Sequence, residues 1–202
     1  MRIVAAALAA SLTLTVAPLA WGAESSPRET PSVDKPEKPP LSRAQRLDEL
    51  FASLKSAPDK SAAKRAENSI LALWLESGSD TVDLLMAWSL KAIDDKDYPR
   101  ALDILDRVVT MKPDYAEGWN KRATVFFMTE DYSRAVADIQ RALVIEPRHF
   151  GALSGLGTIL HETDQDKKAI EVFNHALALN PYLEGVKKAL DEIHKDTDGD
   201  DI

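Results

Sequence analysis

Residues 113–181 read PDYAEGWNKRATVFFMTEDYSRAVADIQRALVIEPRHFGALSGLGTILHETDQDKKAIEVFNHALALNP, and the spacing of the landmarks in this stretch decides the fold. Pro113, Pro147 and Pro181 stand 34 residues apart. Twelve residues before each proline is an alanine: Ala101, Ala135 and Ala169. The same interval separates Leu105, Ile139 and Phe173, and again Val108, Ala142 and Ala176. A fixed period of this length marks a repeat architecture, in which each unit buries its apolar face against its neighbours. Three windows follow, 82–115, 116–149 and 150–183.

Within each window apolar side chains run at helical spacing twice, with a short polar turn between the runs. In the second window Trp119, Ala123 and Phe126 form one stripe and Ala135, Ile139 and Ala142 the next, on either side of Glu130-Asp131-Tyr132. Each unit is a helix-turn-helix pair that ends near a proline, which cannot donate into the helix before it. These residues resemble the tetratricopeptide repeat, W-x2-L-G-x2-Y…A-x3-F…P. The second window supplies Trp119, Phe126, Ala135, Ile139 and Pro147; the third supplies Leu153, Leu156, Gly157, Leu160, Ala169, Phe173 and Pro181. The first is looser, with Leu85, Trp88, Ser89, Ala92, Ala101, Leu105 and Pro113. Arg122 stands where the family has leucine, and Lys96, Glu130 and Asp164 replace its turn glycine, which predicts slightly altered turn geometry. The resemblance implies an all-α, right-handed α-solenoid.

Outward from the repeats, Ser42 and Gln45 make a capping box that opens a helix carrying Leu47, Leu50, Phe51 and Leu54. Pro58-Asp59 breaks it, and a second helix with Ala62, Ala66, Ile70, Leu73 and Trp74 runs toward Gly78. This degenerate pair, 42–78, is expected to cap the N-terminal end of the stack, because end repeats lack one neighbour. Leu183, Val186, Leu190 and Ile193 form one stripe of a capping helix, 183–195, that closes the helical domain 41–195. Residues 196–202 read as an acidic, disordered tail.

The N-terminus has a different character. Met1 and Arg2 lead into Ile3–Val16, apolar apart from Ser11, Thr13 and Thr15, and Pro18, Ala20, Gly22 and Ala23 follow. One charge, a short apolar segment and a small-x-small site are the order of a secretory signal peptide, residues 1–23, cut after Gly22 or Ala23, with a retained anchor as the alternative. The stretch falls short of the roughly 20 apolar residues of a membrane span. Residues 24–40 hold Pro27, Pro31, Pro36, Pro39 and Pro40 and no apolar side chain larger than Val33, the composition of a disordered linker.

Charge and composition narrow the function. A net charge of −8 with no run of Lys and Arg disfavours nucleic acid and anionic lipid as partners. The absence of cysteine excludes disulfides, thiolate catalysis and a lipid-modified cysteine. With the signal segment, that points to the periplasm or the medium. His149, His161, His175 and His194 include no i, i+4 pair, and Gln165 stands where a zinc-protease helix starting at His161-Glu162 needs histidine. The glycines of Gly151-Ala152-Leu153-Ser154-Gly155-Leu156-Gly157 follow no strand, so close helix approach explains them better than a phosphate cradle. No catalytic residue, metal or cofactor is expected, and the chain is not an enzyme.

The resemblance also implies a concave groove lined by the first helix of each pair. By register its inner positions are Met86, Leu90 and Ile93, then Asn120, Thr124 and Phe127, then Ser154, Thr158 and His161. Such a groove is apolar at its N-terminal end and neutral-polar beyond. Family members that grip a terminal carboxylate do so with Lys, Arg and Asn; the corresponding positions here are Met86, Leu90, Lys121, Gly151 and Gly155, so that clamp is absent. The expected partner is a peptide or protein segment of the bacterial cell envelope, held mainly by apolar contacts, with Asn120 bonding its backbone. The alternative is a self-associating structural spacer that uses its convex surface.

Overall fold

The computed structural model describes residues 40–199, and side chains through Lys195. The signal segment 1–23, all of the linker but its last residue, and the end of the tail lie outside the described residues. The described chain is a run of helices: α1 (Arg43–Lys55), α2 (Lys60–Leu75), α3 (Asp80–Asp94), α4 (Tyr98–Met111), α5 (Ala116–Met128), α6 (Tyr132–Ile145), α7 (Phe150–Glu162), α8 (Asp166–Leu179) and α9 (Glu184–Gly199).

Local chemistry sets the ends. The Ser42 hydroxyl accepts from Gln45 N at 3.2 Å while the Gln45 amide oxygen accepts from Ser42 N at 2.9 Å, the reciprocal capping box. Asp59, Asp97 and Asp131 cap α2, α4 and α6 by the single bond from the third helical amide to the carboxylate. The turns inside the three repeats keep a left-handed residue although none is glycine: φ is 58° at Lys96, 60° at Glu130 and 58° at Asp164. The expected change of turn geometry is therefore absent. The repeat retains its turn and accepts roughly 1–2 kcal/mol of strain at each of these positions.

Packing follows the register. α3 pairs with α4, α5 with α6 and α7 with α8, and each pair stacks on the next through α4–α5, α6–α7 and α8–α9. Ala101, Ala135 and Ala169 are fully buried where the second helix of each pair meets the first. A Cβ on Gly157 would overlap the ring of Phe173, so this glycine exists for close approach of α7 and α8. Arg122, in place of leucine, lies across Trp119 and joins three helices, with two 2.7 Å bonds to Asp138 of α6 and one of 2.8 Å to Asp106 of α4.

The N-terminal pair does not cap the stack. α2 packs on α5, not as a layer on α3. It runs instead across the turns that join successive repeats, touching Tyr115, His149 and the segment from Asn180 to Leu183. The reason lies in α3. One repeat on from Leu84 is Gly118, where Val108 of α4 comes so near that a Cβ would sit 2.8 Å from it; two repeats on is the fully buried Ala152. Leucine at the first of these positions bars the same approach by α2, and Leu84 and Trp88 stay about half exposed. A second correction concerns the C-terminus: α9 continues to Gly199, beyond the expected limit at 195. No breaker intervenes between Ile193 and that glycine, the first residue there that favours a helix stop.

Candidate functional site

The inner positions do not form one continuous groove. Met86 is 2% exposed and packs inside the α3–α4 core, with Leu90 and Ile93 half-buried against the same cluster. Leu75, just before the link to α3, covers that cluster, and its carbonyl accepts from the Tyr115 hydroxyl at 2.8 Å. Met86 is thus core, and Leu90 and Ile93 are partly covered, because Leu75 and the chain entering α3 pack on the same cluster. His161 lies at the far end, its Nδ1 2.7 Å from Asp166 Oδ1, and borders neither of the cavities below.

Of the other five positions, four line one cavity and Ser154 lines the space next to it. Asn120, Thr124, Phe127 and Thr158 line a cavity of about 130 Å³ between α5 and α7, floored by Gly151, Gly155 and Ile159. Thr158 also borders a larger space of about 720 Å³, which it shares with Ser154. α2 forms one side of that space through Lys60, Lys64 and Glu67, and Phe173, Leu183 and Val186 supply its apolar surface. The glycines let the backbone of α7 form part of the wall.

Hydrogen bonding makes this surface less polar than its composition. The Thr124 hydroxyl donates to Asn120 O at 3.0 Å, Ser154 to Phe150 O at 2.7 Å and Thr158 to Ser154 O at 3.0 Å. Their protons are spent on their own helices, which leaves methyl groups and acceptor lone pairs facing the cavities. The Asn120 amide nitrogen donates one of its two protons to Glu117 at 3.1 Å, which leaves its oxygen and its second N–H for a ligand. The surface therefore suits apolar side chains and hydrogen-bond donors.

Beside it lies a polar cluster that register alone did not single out. His149 is 1% exposed, and its Nδ1 lies 3.1 Å from Ala152 N, a group that can only donate. Nδ1 must accept, so Nε2 carries the proton and donates to Glu117 at 2.8 Å. Burial raises the Glu117 carboxyl, but the bond from His149 and the nearby Lys121 outweigh it and hold the group well below the usual carboxylate range. The indole of Trp74 stacks on His149, with centroids 4.1 Å apart and planes 11° from parallel. Further along, Asn180 Nδ2 donates to Glu67 at 3.0 Å and the Tyr182 hydroxyl donates to Ala57 O at 3.2 Å. One signal for this strip was present in the sequence: Tyr115, His149 and Leu183 share a repeat position, so whatever covers one is placed to cover all three. Among the described residues no group of three His, Cys, Asp or Glu could hold a metal ion, and no helix is long and apolar enough to cross a membrane.

Comparison with known proteins agrees with this architecture. A family model described as tetratricopeptide repeat matches residues 86–147 and again 129–184. A "TPR repeat-containing protein" of Rhizobium etli is 42% identical over 123 residues, covering 58% of this chain and 60% of the relative, so the chain spans about three-fifths of that protein's length. Among solved structures, the TPR domain of Arabidopsis OM64 matches with a TM-score of 0.55 at 22% identity, over 57% of this chain and 96% of that one. The Sgt2 TPR domain of Aspergillus fumigatus matches with a TM-score of 0.57 at 20% identity, over 61% and 83%. The first TPR of Spaghetti (RPAP3), bound to an HSP90 peptide, matches with a TM-score of 0.55 at 18% identity, over 57% and 92%. At these identities the solved structures show a shared fold. Paired helices in a 34-residue period, the matched family model and the Rhizobium relative together assign this chain to the tetratricopeptide-repeat family.

Proposed function

We propose that this chain is a non-enzymatic interaction module, exported to the bacterial cell envelope, that takes a segment of another envelope protein along the cavity between α5 and α7 and the larger space that Thr158 joins to it. The observation that carries this reading is the convergence of Asn120, Thr124, Phe127 and Thr158 on one cavity whose hydroxyl protons are all turned inward. Such a surface favours an apolar side chain seated on Phe127, with a backbone N–H of the segment donating to the Asn120 oxygen. The RPAP3 domain was solved with a peptide, which is the same class of partner. The carboxylate clamp does not carry over, since Lys121 is paired with Glu117 at 3.0 Å and Gly151 and Gly155 offer no side chain. The export reading rests on the order of residues 2–23.

Cross-linking in the native compartment, followed by capture of the chain, tests the groove. Phe127→Ala with Asn120→Ala is expected to lower recovery of the cross-linked partner by roughly thirtyfold, the size of a lost hot spot, while the helical signal in circular dichroism holds. Undiminished capture would remove the groove from consideration. A second reading, self-association, is favoured by Leu84 and Trp88, half exposed on α3 where no preceding pair stacks. Sedimentation separates the two: a monomer at all concentrations leaves only the groove, whereas concentration-dependent dimers abolished by Trp88→Lys support the second.

A further inference from the structure

We infer that α1–α2 is a strap that undocks from the row of turns as one unit and thereby governs access to the groove. The pair is largely self-contained. Of the buried residues in its core only Phe150 comes from the repeats, and the Arg43 guanidinium donates to Leu73 O at 2.8 Å, closing the end of α2 from within the pair. Its link to the stack is short and has a natural pivot. Ser77 N donates to Asp83 at 2.8 Å, so the chain from Ser77 onward stays with α3 and rotation falls on the exposed Glu76.

The docked state is imperfect in two respects. Trp74 Nε1 is buried without a hydrogen-bond partner. The space of about 720 Å³ also lies between Lys64 of α2 and Phe173 and Val186, and it is crossed at its edges by the Lys60–Glu184 ion pair of 3.2 Å and the Asn180–Glu67 bond, so this side of α2 is held by polar contacts around a gap and not by apolar packing. A buried donor without an acceptor and a gap in packing both weigh against docking, and both penalties disappear when the strap lifts. The stacked repeats have no such release, since separating their stripes means unfolding them. Lifting removes the α2 side of the larger space and exposes the strip from Tyr115 through His149 to Asn180. That strip accepts an amphipathic helix of α2's own kind, with an aromatic ring for His149 and a carboxylate for Asn180. The access role rests on the groove reading above; the undocking does not.

Native-state hydrogen exchange on the full chain tests undocking alone. Amides of α1 and α2 are expected to exchange together, about tenfold or more faster than those of α5–α8. Equal protection throughout would overturn the proposal. Because the chain has no cysteine, Asp48→Cys with Arg148→Cys, joined by a short bismaleimide, ties the strap down at an existing ion pair of 2.7 Å. This link is expected to bring α1–α2 to the protection of α5–α8. A synthetic peptide of residues 59–76 probes the vacated strip: it is expected to bind the Trp74→Ala chain and to lose about tenfold or more in affinity once that chain is linked. Equal affinity for both would also overturn the strap. Uniform exchange with groove-dependent capture sinks the strap alone; fast exchange with capture indifferent to Phe127 sinks the groove alone.

Discussion

Trp74→Ala is expected to lower the free energy of unfolding by about 3 kcal/mol, the low end of the range for deleting a buried Trp or Phe side chain. The indole is 3% exposed and is held on three sides: stacked on His149, tilted against Phe150 at 4.9 Å and against Phe51 at 6.1 Å. Removing it forfeits those contacts and leaves a cavity at the one place where strap, second turn and α7 meet. The missing acceptor for Nε1 sets the estimate low, because truncation also removes an unsatisfied donor worth about 1 kcal/mol or more. In a domain of this size, 3 kcal/mol corresponds to a fall in Tm of roughly 6–12 °C. Thermal unfolding followed by circular dichroism reads it. A shift below about 2 °C would mean that the strap contributes nothing to the cooperative unit, and that the repeats behave as nearest-neighbour layers alone.

His149→Ala carries the other large effect, about 3 kcal/mol, because one ring serves three partners. It caps α7 through Nδ1, donates to Glu117 through Nε2 and gives Trp74 its stacking face. Its loss leaves a buried carboxylate supported by Lys121 and Asn120 only, and breaking a buried pair from one side costs several kcal/mol. Glu117→Gln separates charge from shape. The folded carboxyl titrates near 2 instead of its ordinary 4.5, so its contribution is complete above pH 4.5 and is lost as pH falls toward about 2. Urea titrations between these limits should show wild type weakening with acid more steeply than Glu117→Gln, with the two converging at the acid end. Parallel slopes would show that Glu117 is not held in its charged form by this cluster.

Together these residues account for a departure from ordinary repeat behaviour. A stack of helix pairs is quasi-one-dimensional, each layer stabilised by its neighbours. Here Glu67 reaches Asn180, Asp48 reaches Arg148 and Ala57 reaches Tyr182, contacts that span 100 to 125 residues. The curvature of the groove is set along with them, since the strap fixes the three turns relative to one another. Any partner that bends or straightens the stack must act against these contacts.

Much of the molecule could be read from residue order alone. The 34-residue period of Pro113, Pro147 and Pro181 and the fully buried Ala101, Ala135 and Ala169 defined the helix pairs, because local spacing dictates which faces are apolar and which neighbour must cover them. The same register brought Asn120, Thr124, Phe127 and Thr158 to one cavity. It misplaced Met86, which is core, since register gives a residue's face but not what the incoming chain lays over it. It could not show that the hydroxyls of Thr124, Ser154 and Thr158 donate inward, a choice made by side-chain rotation. Nor did it show where α1–α2 would go: the stripe ending in Trp74 fits either the face of α3 or the row of turns, and periodicity is silent between them. The tertiary structure decided this through volume, because Leu84 fills the approach that Gly118 and Ala152 leave open one and two repeats later, while His149 and Asn180 offer the strap a surface made of residues far apart in the chain.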